Sequence, residues 1–573
     1  METVEEHKKT LSIYEKLSNE RKQLQAEGSV PEWFTTGAWQ MFTQKYQIDG
    51  ATIKDTYRRI SRAAAKHMPT NVAQWEETFF GLLWEGWLGL STPVLANMGT
   101  NRGMPVSCSG QVIDDSISDF YMSAHELAVL TKHGFGTSSY LGNIRPRGSS
   151  ISKGGKASGV IDVITTCVDI MRKVAQGTAR RGAWAGYLPI DHPDFDEVVD
   201  YLEHNPDDLN LGWVVTDDFI ASLKAKNQSA INKLARAMKV KAVTGKGYFF
   251  FVDKVNRASP SMYKDLDLKV LASNLCIEIN LFSDSEHSFT CVLSSMNLAK
   301  FDEWKNTSAV FSATVFLDCV AQEFIDRGKS ILGFEKTVKF TEKSRALGLG
   351  VCGFHTYLQQ NSIPFESLEA HTWNNTAFSH IEKEAFRASQ YMAETLGEPE
   401  WCKGYGVRNT HRTAIAPTTT LALICSGVSQ GIEPVVANIY NQPTSAGELY
   451  RVNPVFLELA KERGEFTEEL VDDLTLNTAG SVQHLDWLTD HEKLVFKTAY
   501  EIDQRAIIRL ASTRQKYICQ GQSLNLFFNA DEDEEYIMEI HQEAFLDEDI
   551  KGLYYMRTAA GVQASKGECL ACQ

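Results

Sequence analysis

The sequence predicts an α/β protein built on a mostly parallel sheet or barrel with helices outside, preceded by a helical N-terminal region. Three observations predict it. From Leu90 onward, short apolar runs punctuated by glycine alternate with amphipathic helical patterns, as in strands joined by crossover helices. Residues 1 to 90 carry only helix-period patterns. At 573 residues the chain is far longer than a single small core needs.

Taken in order, the periodic apolar positions in Leu11-Ser12-Ile13-Tyr14 and in Trp33 to Phe42 predict helices, followed by a basic helix around Tyr57 to Lys66. Strand character begins with Val106 to Ile113. A helix is expected over Ser123 to His133, then a glycine-rich segment, Gly148 to Gly159. The next helix, Val160 to Val174, carries Ile161, Ile164, Val168 and Met171 on one side. Two loops here, Arg145 to Lys156 and Gln176 to Ala183, combine cations with glycine and hydroxyl residues. Either a phosphate site or a mobile surface loop accounts for each. Further on, Phe289 to Leu298 reads as a strand carrying Cys291, and Leu368 to Leu396 as one long helix. Pro417-Thr418-Thr419-Thr420 before an apolar run is a helix start whose N–H groups and hydroxyls suit either a diphosphate or plain capping. The acidic run Asn529 to Glu535 opens a solvated helix. Gly552 to Arg557, with Tyr554 and Tyr555, reads as a final strand, in which adjacent rings point to opposite faces.

Composition narrows the function. The formal charge of −16 and the lack of a basic stripe argue against a nucleic-acid binder. No apolar run approaches the roughly 20 residues of a membrane span, and the N-terminus lacks a signal pattern. A cytoplasmic protein is expected. The eleven cysteines have no repeating spacing, which fits reduced thiols.

The most informative stretch is Ser273-Asn274-Leu275-Cys276-Ile277-Glu278-Ile279. Apolar Leu275, Ile277 and Ile279 alternate with Asn274, Cys276 and Glu278, so an amide, a thiol and a carboxylate converge on one face. Burying them is costly unless a polar substrate meets them; a half-exposed edge strand is the other reading. Cys569 and Cys572 form a Cys-x-x-Cys at the end of a small-residue tail. Structural zinc needs four ligands, and no second pair accompanies this one, so no metal site is assigned. A redox pair that reduces an internal disulfide by exchange is the better reading, with Cys108 and Cys291 as internal candidates.

Together, Asn274-Leu-Cys276-Ile-Glu278, Ser107-Cys108, Cys291, Pro417 to Thr420, Tyr554-Tyr555 and the tail thiols resemble the large catalytic subunit of class I ribonucleotide reductases, from about Ser91 to the last residue. The resemblance implies a ten-stranded α/β barrel over residues 91 to 558 with a finger loop at its centre, a helical region before it and a redox-active tail over 559 to 573. It implies reduction of ribonucleoside diphosphates by a thiyl radical on Cys276, with Glu278 as base, Asn274 holding the ribose, and Cys108 and Cys291 ending as a disulfide. Tyr554 and Tyr555 resemble the family's radical relay. Thr92, Ser107, Pro417, Thr418, Thr419 and Thr420 fall at its substrate positions. Asp115, Ser116, Arg145, Gln176 and Arg180 fall at the specificity site, which takes a dNTP or ATP effector. The first effector loop is about one residue longer than the family pattern, so Ser152 or Lys153 stands where an arginine is expected.

The implied partners are a small subunit carrying a diiron or dimanganese radical cofactor, thioredoxin or glutaredoxin, and a second copy of the chain. No cofactor is expected in this chain itself. No room for the family's N-terminal ATP-binding module is seen, so dATP is expected to tune substrate choice without shutting the enzyme off. A cobalamin-dependent reductase, or an inactive nucleotide-binding homologue, is the alternative.

Overall fold

The computed structural model describes residues 4–558 except 107, 153, 177–179 and 445–446; the side chains of residues 4–14, 175–181 and 441–450 also lie outside the description. The chain opens with four helices, α1 (Val4–Ala26), α2 (Thr36–Lys45), α3 (Ile53–Ala65) and α4 (Val72–Trp84). Helix α3 starts at a capping box: Thr52 accepts from the Asp55 N–H, and the Asp55 carboxylate accepts from that of Thr52. Its Ile53, Tyr57, Ile60 and Ala64 recur at helical spacing and are buried. On its outer face Arg58 lies 3.6 Å above the Phe80 ring of α4.

Strand β1 (Leu88–Leu90) and the short α5 (Thr92–Asn97) lead into the barrel. Strands β2 (Cys108–Val112) and β3 (Gly136–Tyr140) flank α6 (Ile117–Lys132), and α7 (Val160–Lys173) follows. After it come the two-residue ladder β4 (Ala175–Gln176) with β5 (Arg180–Arg181), then β6 (Trp184–Pro189), β7 (Asn210–Val215) and β8 (Tyr248–Phe251). The order β2-β3-β6-β7-β8 is parallel throughout. These strands are buried almost end to end, as expected where helices cover one face and a core the other.

The second half runs in the opposite sense. β9 (Phe289–Asn297) pairs antiparallel with β2 and parallel with β10 (Leu347–Cys352). Parallel bridges then link Leu349 to Thr413 and Ile415 to Gln522. A hairpin, β11 (Ile439–Thr444) with β12 (Gly447–Val452), lies between those segments in sequence and has its own apolar cluster around Phe456 and Phe496. β13 (Leu526–Phe528) pairs parallel with β15 (Met556–Thr558), and β14 (Gly552–Leu553) pairs antiparallel with β8. The result is the expected ten-stranded barrel: two five-strand parallel halves meeting antiparallel at the β2/β9 and β8/β14 seams. Two of the ten places are filled by single bridges rather than full ladders.

The inside of the ring follows from the strand period of two. Ala185 and Tyr187, Tyr248 and Phe250, Phe289 and Cys291 belong to one inner cluster. Their neighbours Trp184 and Leu188, Phe249 and Phe251, and Val292 pack outward against the helices. Inside this ring lies the segment leading from Asp265 to β9, which has no regular structure, and its Leu275, Cys276, Ile277, Ile279 and Leu281 join the inner cluster. Gly110 makes room for the Phe289 ring of β9. A Cβ there would meet the Phe289 ring at 2.2 Å.

The expected helix over Ser123 to His133 begins earlier, at Ile117, because Ser116 caps it by accepting from the Asp119 N–H. The long helix spans Leu368–Leu396. Among the described residues no single helix is long and apolar enough to cross a membrane.

Candidate active site

The incoming arm of the finger is held by two strand residues. Ser138 on β3 donates to the Ser273 carbonyl at 2.7 Å, and Tyr187 on β6 donates to the Asn274 carbonyl at 2.5 Å. Ser273 Oγ in turn donates to the Ile279 carbonyl at 2.7 Å, and Asn274 Oδ1 accepts from the Ile279 N–H at 3.2 Å, so the two arms are tied into a closed loop. At the tip the Ile277 N–H turns back to the Asn274 carbonyl at 3.3 Å, with Ile277 at φ +68°.

The strict alternation predicted for Ser273 to Ile279 therefore breaks at Ile277. A reversal needs one residue in the left-handed region, and the β-branched side chain accepts that strain because its position is otherwise fixed. Its Cδ1 lies where a Cβ on Gly552 would come within 2.9 Å, so glycine at 552 is what lets the fingertip approach the last strands. All seven residues are buried, which sets aside the edge-strand reading.

The β2/β9 register places Cys108 directly opposite Cys291, both in the thiol form. Residues so paired have Cα atoms about 4.5 to 5.5 Å apart, within the range a disulfide spans. Asn274 Nδ2 reaches Cys108 Sγ at 3.6 Å, which joins the finger to this pair. Burial pushes the Cys291 thiol well above the usual range, with the negative forms of Cys108 and Glu278 adding to it. Glu278, 1% exposed, is pushed up to about 7 by burial, against hydrogen bonds from its own backbone, Asn274 and Ser523. A carboxyl titrating there is poised for general-base work near neutral pH. Cys276 itself is 2% exposed at the fingertip.

Tyr554 and Tyr555 do not lie within a strand. They occupy the break between β14 and β15, where the Tyr554 N–H bonds to the Leu524 carbonyl at 2.9 Å and the Tyr555 N–H to Asn525 Oδ1 at 3.0 Å. Freed from the ladder, the rings do not point to opposite faces; their centroids are 4.1 Å apart. A third ring, Tyr248 at the start of β8, sits 4.7 Å from Tyr554 and 5.4 Å from Tyr555, and its hydroxyl donates to that of Tyr555 at 3.2 Å. Lys241 donates to the carbonyls of Tyr554 and Gly247 from behind, and burial lowers its ammonium to about 7. Sequence reasoning missed Tyr248, Lys241, Tyr187 and Ser523. The one local signal was the hydroxyl-bearing ring that opens the aromatic run Tyr248 to Phe251.

Thr92 opens α5, and its hydroxyl lies 2.9 Å from that of Tyr46. The helix after Pro417 begins at Thr419 and ends at Ile424. Thr418 precedes it at φ +58° and does not cap it: its Oγ1 accepts from the Gly431 N–H at 2.7 Å, and Thr419 donates to Gln430 at 3.0 Å. Thr420 is buried. In the second predicted site Asp115 pairs with the Arg145 guanidinium, which also donates to the Ser150 carbonyl at 3.1 Å. Ser116 is occupied as the cap of α6. The backbones of Gln176 and Arg180 face each other in the β4/β5 ladder. Ser152 is exposed. Ser107, Lys153, Cys569 and Cys572 lie outside the described residues.

The chain is similar to known proteins over most of its length. Segments spanning residues 106–556 match the family described as "Ribonucleotide reductase, barrel domain", and residues 32–103 match "Ribonucleotide reductase, all-alpha domain". The chain is 35% identical over 522 residues to a putative ribonucleoside-diphosphate reductase large subunit of Frog virus 3 (isolate Goorha), covering 85% of this chain and 91% of the relative. A vitamin B12-dependent ribonucleoside-diphosphate reductase of Thermoplasma acidophilum is 31% identical, over 77% of this chain and 60% of the relative. Among solved structures, an Actinobacillus ureae class Id ribonucleotide reductase alpha subunit superposes with a TM-score of 0.86 at 37% identity, over 93% of this chain and 99% of that one.

Proposed function

Since the chain belongs to the ribonucleotide reductase large-subunit family, we propose that it reduces ribonucleoside diphosphates by a thiyl-radical mechanism, with the radical supplied by a separate small metal-radical subunit. The observation that carries the reading is the convergence of Cys108, Cys291, Asn274 and Glu278 at one buried place around the finger. In the proposed sequence the Cys276 thiyl takes the 3′-hydrogen of the ribose. Glu278 takes the 3′-hydroxyl proton, and Asn274 orients that side of the sugar. The 2′-hydroxyl leaves as water with a proton from Cys108. Two electrons from Cys108 and Cys291 replace it, the second thiol hydrogen ends on C2′, and the two sulfurs become a disulfide. Glu278 then returns its proton to the 3′-oxygen and Cys276 its hydrogen to C3′. A buried, water-poor barrel suits a sulfur radical, which survives only where other reductants are excluded.

The adjoining rings of Tyr554 and Tyr555 favour a radical delivered from outside over one made on the spot. Thr92, Ser107 and Pro417 to Thr420 are assigned to the substrate. Asp115, Ser116, Arg145, Gln176 and Arg180 are assigned to a nucleotide effector, which on binding would have to break the Asp115–Arg145 pair or use it as it stands. Helix α6 exposes Ile117, Tyr121 and Met122 on one face, at 70%, 68% and 60%, and this supports a homodimer through that face. The deciding experiment is turnover of ribonucleoside diphosphates with and without a metal-radical subunit. Product only in its presence supports the reading. Product with adenosylcobalamin alone would favour the second reading, which the B12-dependent relative keeps in view.

Cys569 and Cys572 are assigned to re-reduction of the Cys108–Cys291 disulfide, handing electrons on from thioredoxin or glutaredoxin. With both replaced by serine and a dithiol protein as reductant, about one turnover per site is expected, because the internal disulfide is then stranded. Rapid-quench product counting checks this, and sustained turnover would show another route to the disulfide.

A further inference from the structure

Ser523 belongs to the segment that fills one of the single-bridge places in the barrel. Its N–H is fixed to the Ile415 carbonyl at 2.9 Å, and the Gly521 N–H holds the Glu278 carbonyl at 2.8 Å. Its hydroxyl, 2% exposed, lies 2.6 Å from the Cys276 carbonyl and 3.0 Å from Glu278 Oε2. A hydroxyl has a single hydrogen to donate. It therefore serves one of these two acceptors at a time, and the two belong to the residue assigned to the radical and the residue assigned as base.

We propose that Ser523 is a positioning residue whose hydroxyl hydrogen moves between the Glu278 carboxylate and the Cys276 carbonyl as Glu278 loses or gains its proton. When Glu278 is ionised, the hydrogen turns to the carboxylate, the stronger acceptor. When Glu278 has taken a proton, its own O–H donates to Ser523, and the serine hydrogen goes to the Cys276 carbonyl. The peptide that carries Cys276 is then held most firmly while the base is protonated, in the part of the cycle when the sugar radical exists. The groups facing Glu278 are Asn274 from the finger, Cys291 from β9 with Cys108 beyond it on β2, Tyr187 from β6, and Ser523. Burial keeps Cys291 and Tyr187 in their neutral forms. Burial raises Glu278, and the hydrogen bonds from its own backbone, Asn274 and Ser523 are what oppose it.

The inference rests on the reading of Glu278 as the base, and the test separates the two. Turnover is measured from pH 6 to 9 with the radical subunit and an external dithiol for wild type, Ser523→Ala, Ser523→Cys, Ser523→Thr and Glu278→Gln. Ser523→Ala should move the acid limb of kcat upward by about one pH unit, a loss of roughly tenfold at a fixed pH on that limb, which is the size of a hydrogen bond to a charged group. KM and effector binding should stay unchanged. Ser523→Cys, a weaker donor of similar size, should shift the limb less in the same direction, and Ser523→Thr should restore it. If Glu278→Gln is silent while the Ala and Cys profiles superimpose on wild type, the role of Ser523 is overturned and the base stands. If Glu278→Gln turns over normally, the base assignment falls and this inference falls with it.

Discussion

Cys276→Ser is expected to abolish reduction, a loss of at least roughly 10⁴-fold, or more than about 5 kcal/mol of barrier. Serine has nearly the same size, and its hydroxyl fits a finger that already holds polar groups. Yet an O–H is far harder to oxidise to a radical than an S–H, so the step that removes the 3′-hydrogen never begins. Substrate and effector binding should survive, because the residues that fix the finger are Ser138, Tyr187, Ser273, Asn274 and Ser523, through bonds to backbone or to one another. Equilibrium nucleotide binding and product formation are measured on the same preparation. Deoxynucleotide above background would sink the assignment of Cys276.

Tyr554→Phe and Tyr555→Phe should each silence turnover, again by at least roughly 10³-fold, and for a reason unrelated to packing. Phenylalanine keeps the 4.1 Å ring contact and removes the phenolic hydrogen whose loss a tyrosyl relay requires. Tyr555→Phe also removes an acceptor for the Tyr248 hydroxyl. Asn210 Oδ1 lies 3.3 Å from that hydroxyl and can take its hydrogen, so the structural cost should stay within about 1 kcal/mol. Thermal melts of the variants should therefore overlay that of the wild type while activity is lost. If both variants turn over normally, the radical arises without the relay and the cobalamin reading gains.

Much of the architecture was legible because it is carried locally. The long helix appears at Leu368–Leu396 because its periodicity and its Ser367 cap are both in the sequence. The conjunction Asn274, Cys276 and Glu278 was visible because those residue types are costly to bury together. What stayed hidden depends on contacts between distant segments. Ser523 lies 245 residues from Glu278 in sequence, and Tyr248 lies 307 from Tyr555, so no window of sequence contains either pair. The turn at Ile277 was missed for another reason: alternation of polar and apolar residues is what a strand shows, and nothing local marks a β-branched residue as the one that adopts positive φ. At Thr418 the expected cap was displaced because the Gly431 N–H competes for its oxygen.

The meeting of the two half-barrels at Cys108 and Cys291 has a mechanical consequence. While both sulfurs are thiols the seam is held by backbone pairing and by Ser283, which donates to the Gly110 carbonyl and accepts from the Phe289 N–H. Once the proposed cycle has oxidised them, a covalent rivet spans it and closes a loop of well over a hundred residues, which restricts the unfolded chain by about 5 kcal/mol in the chain-entropy account. The spent enzyme should then be the sturdier one. Its melting temperature should lie several degrees above that of the reduced chain, by roughly 1 °C per kcal/mol for a body of this size, and the gap should vanish in Cys291→Ser. Melting curves taken at intervals after a single substrate pulse would then work as a clock, in which heat resistance counts the molecules waiting to be recharged.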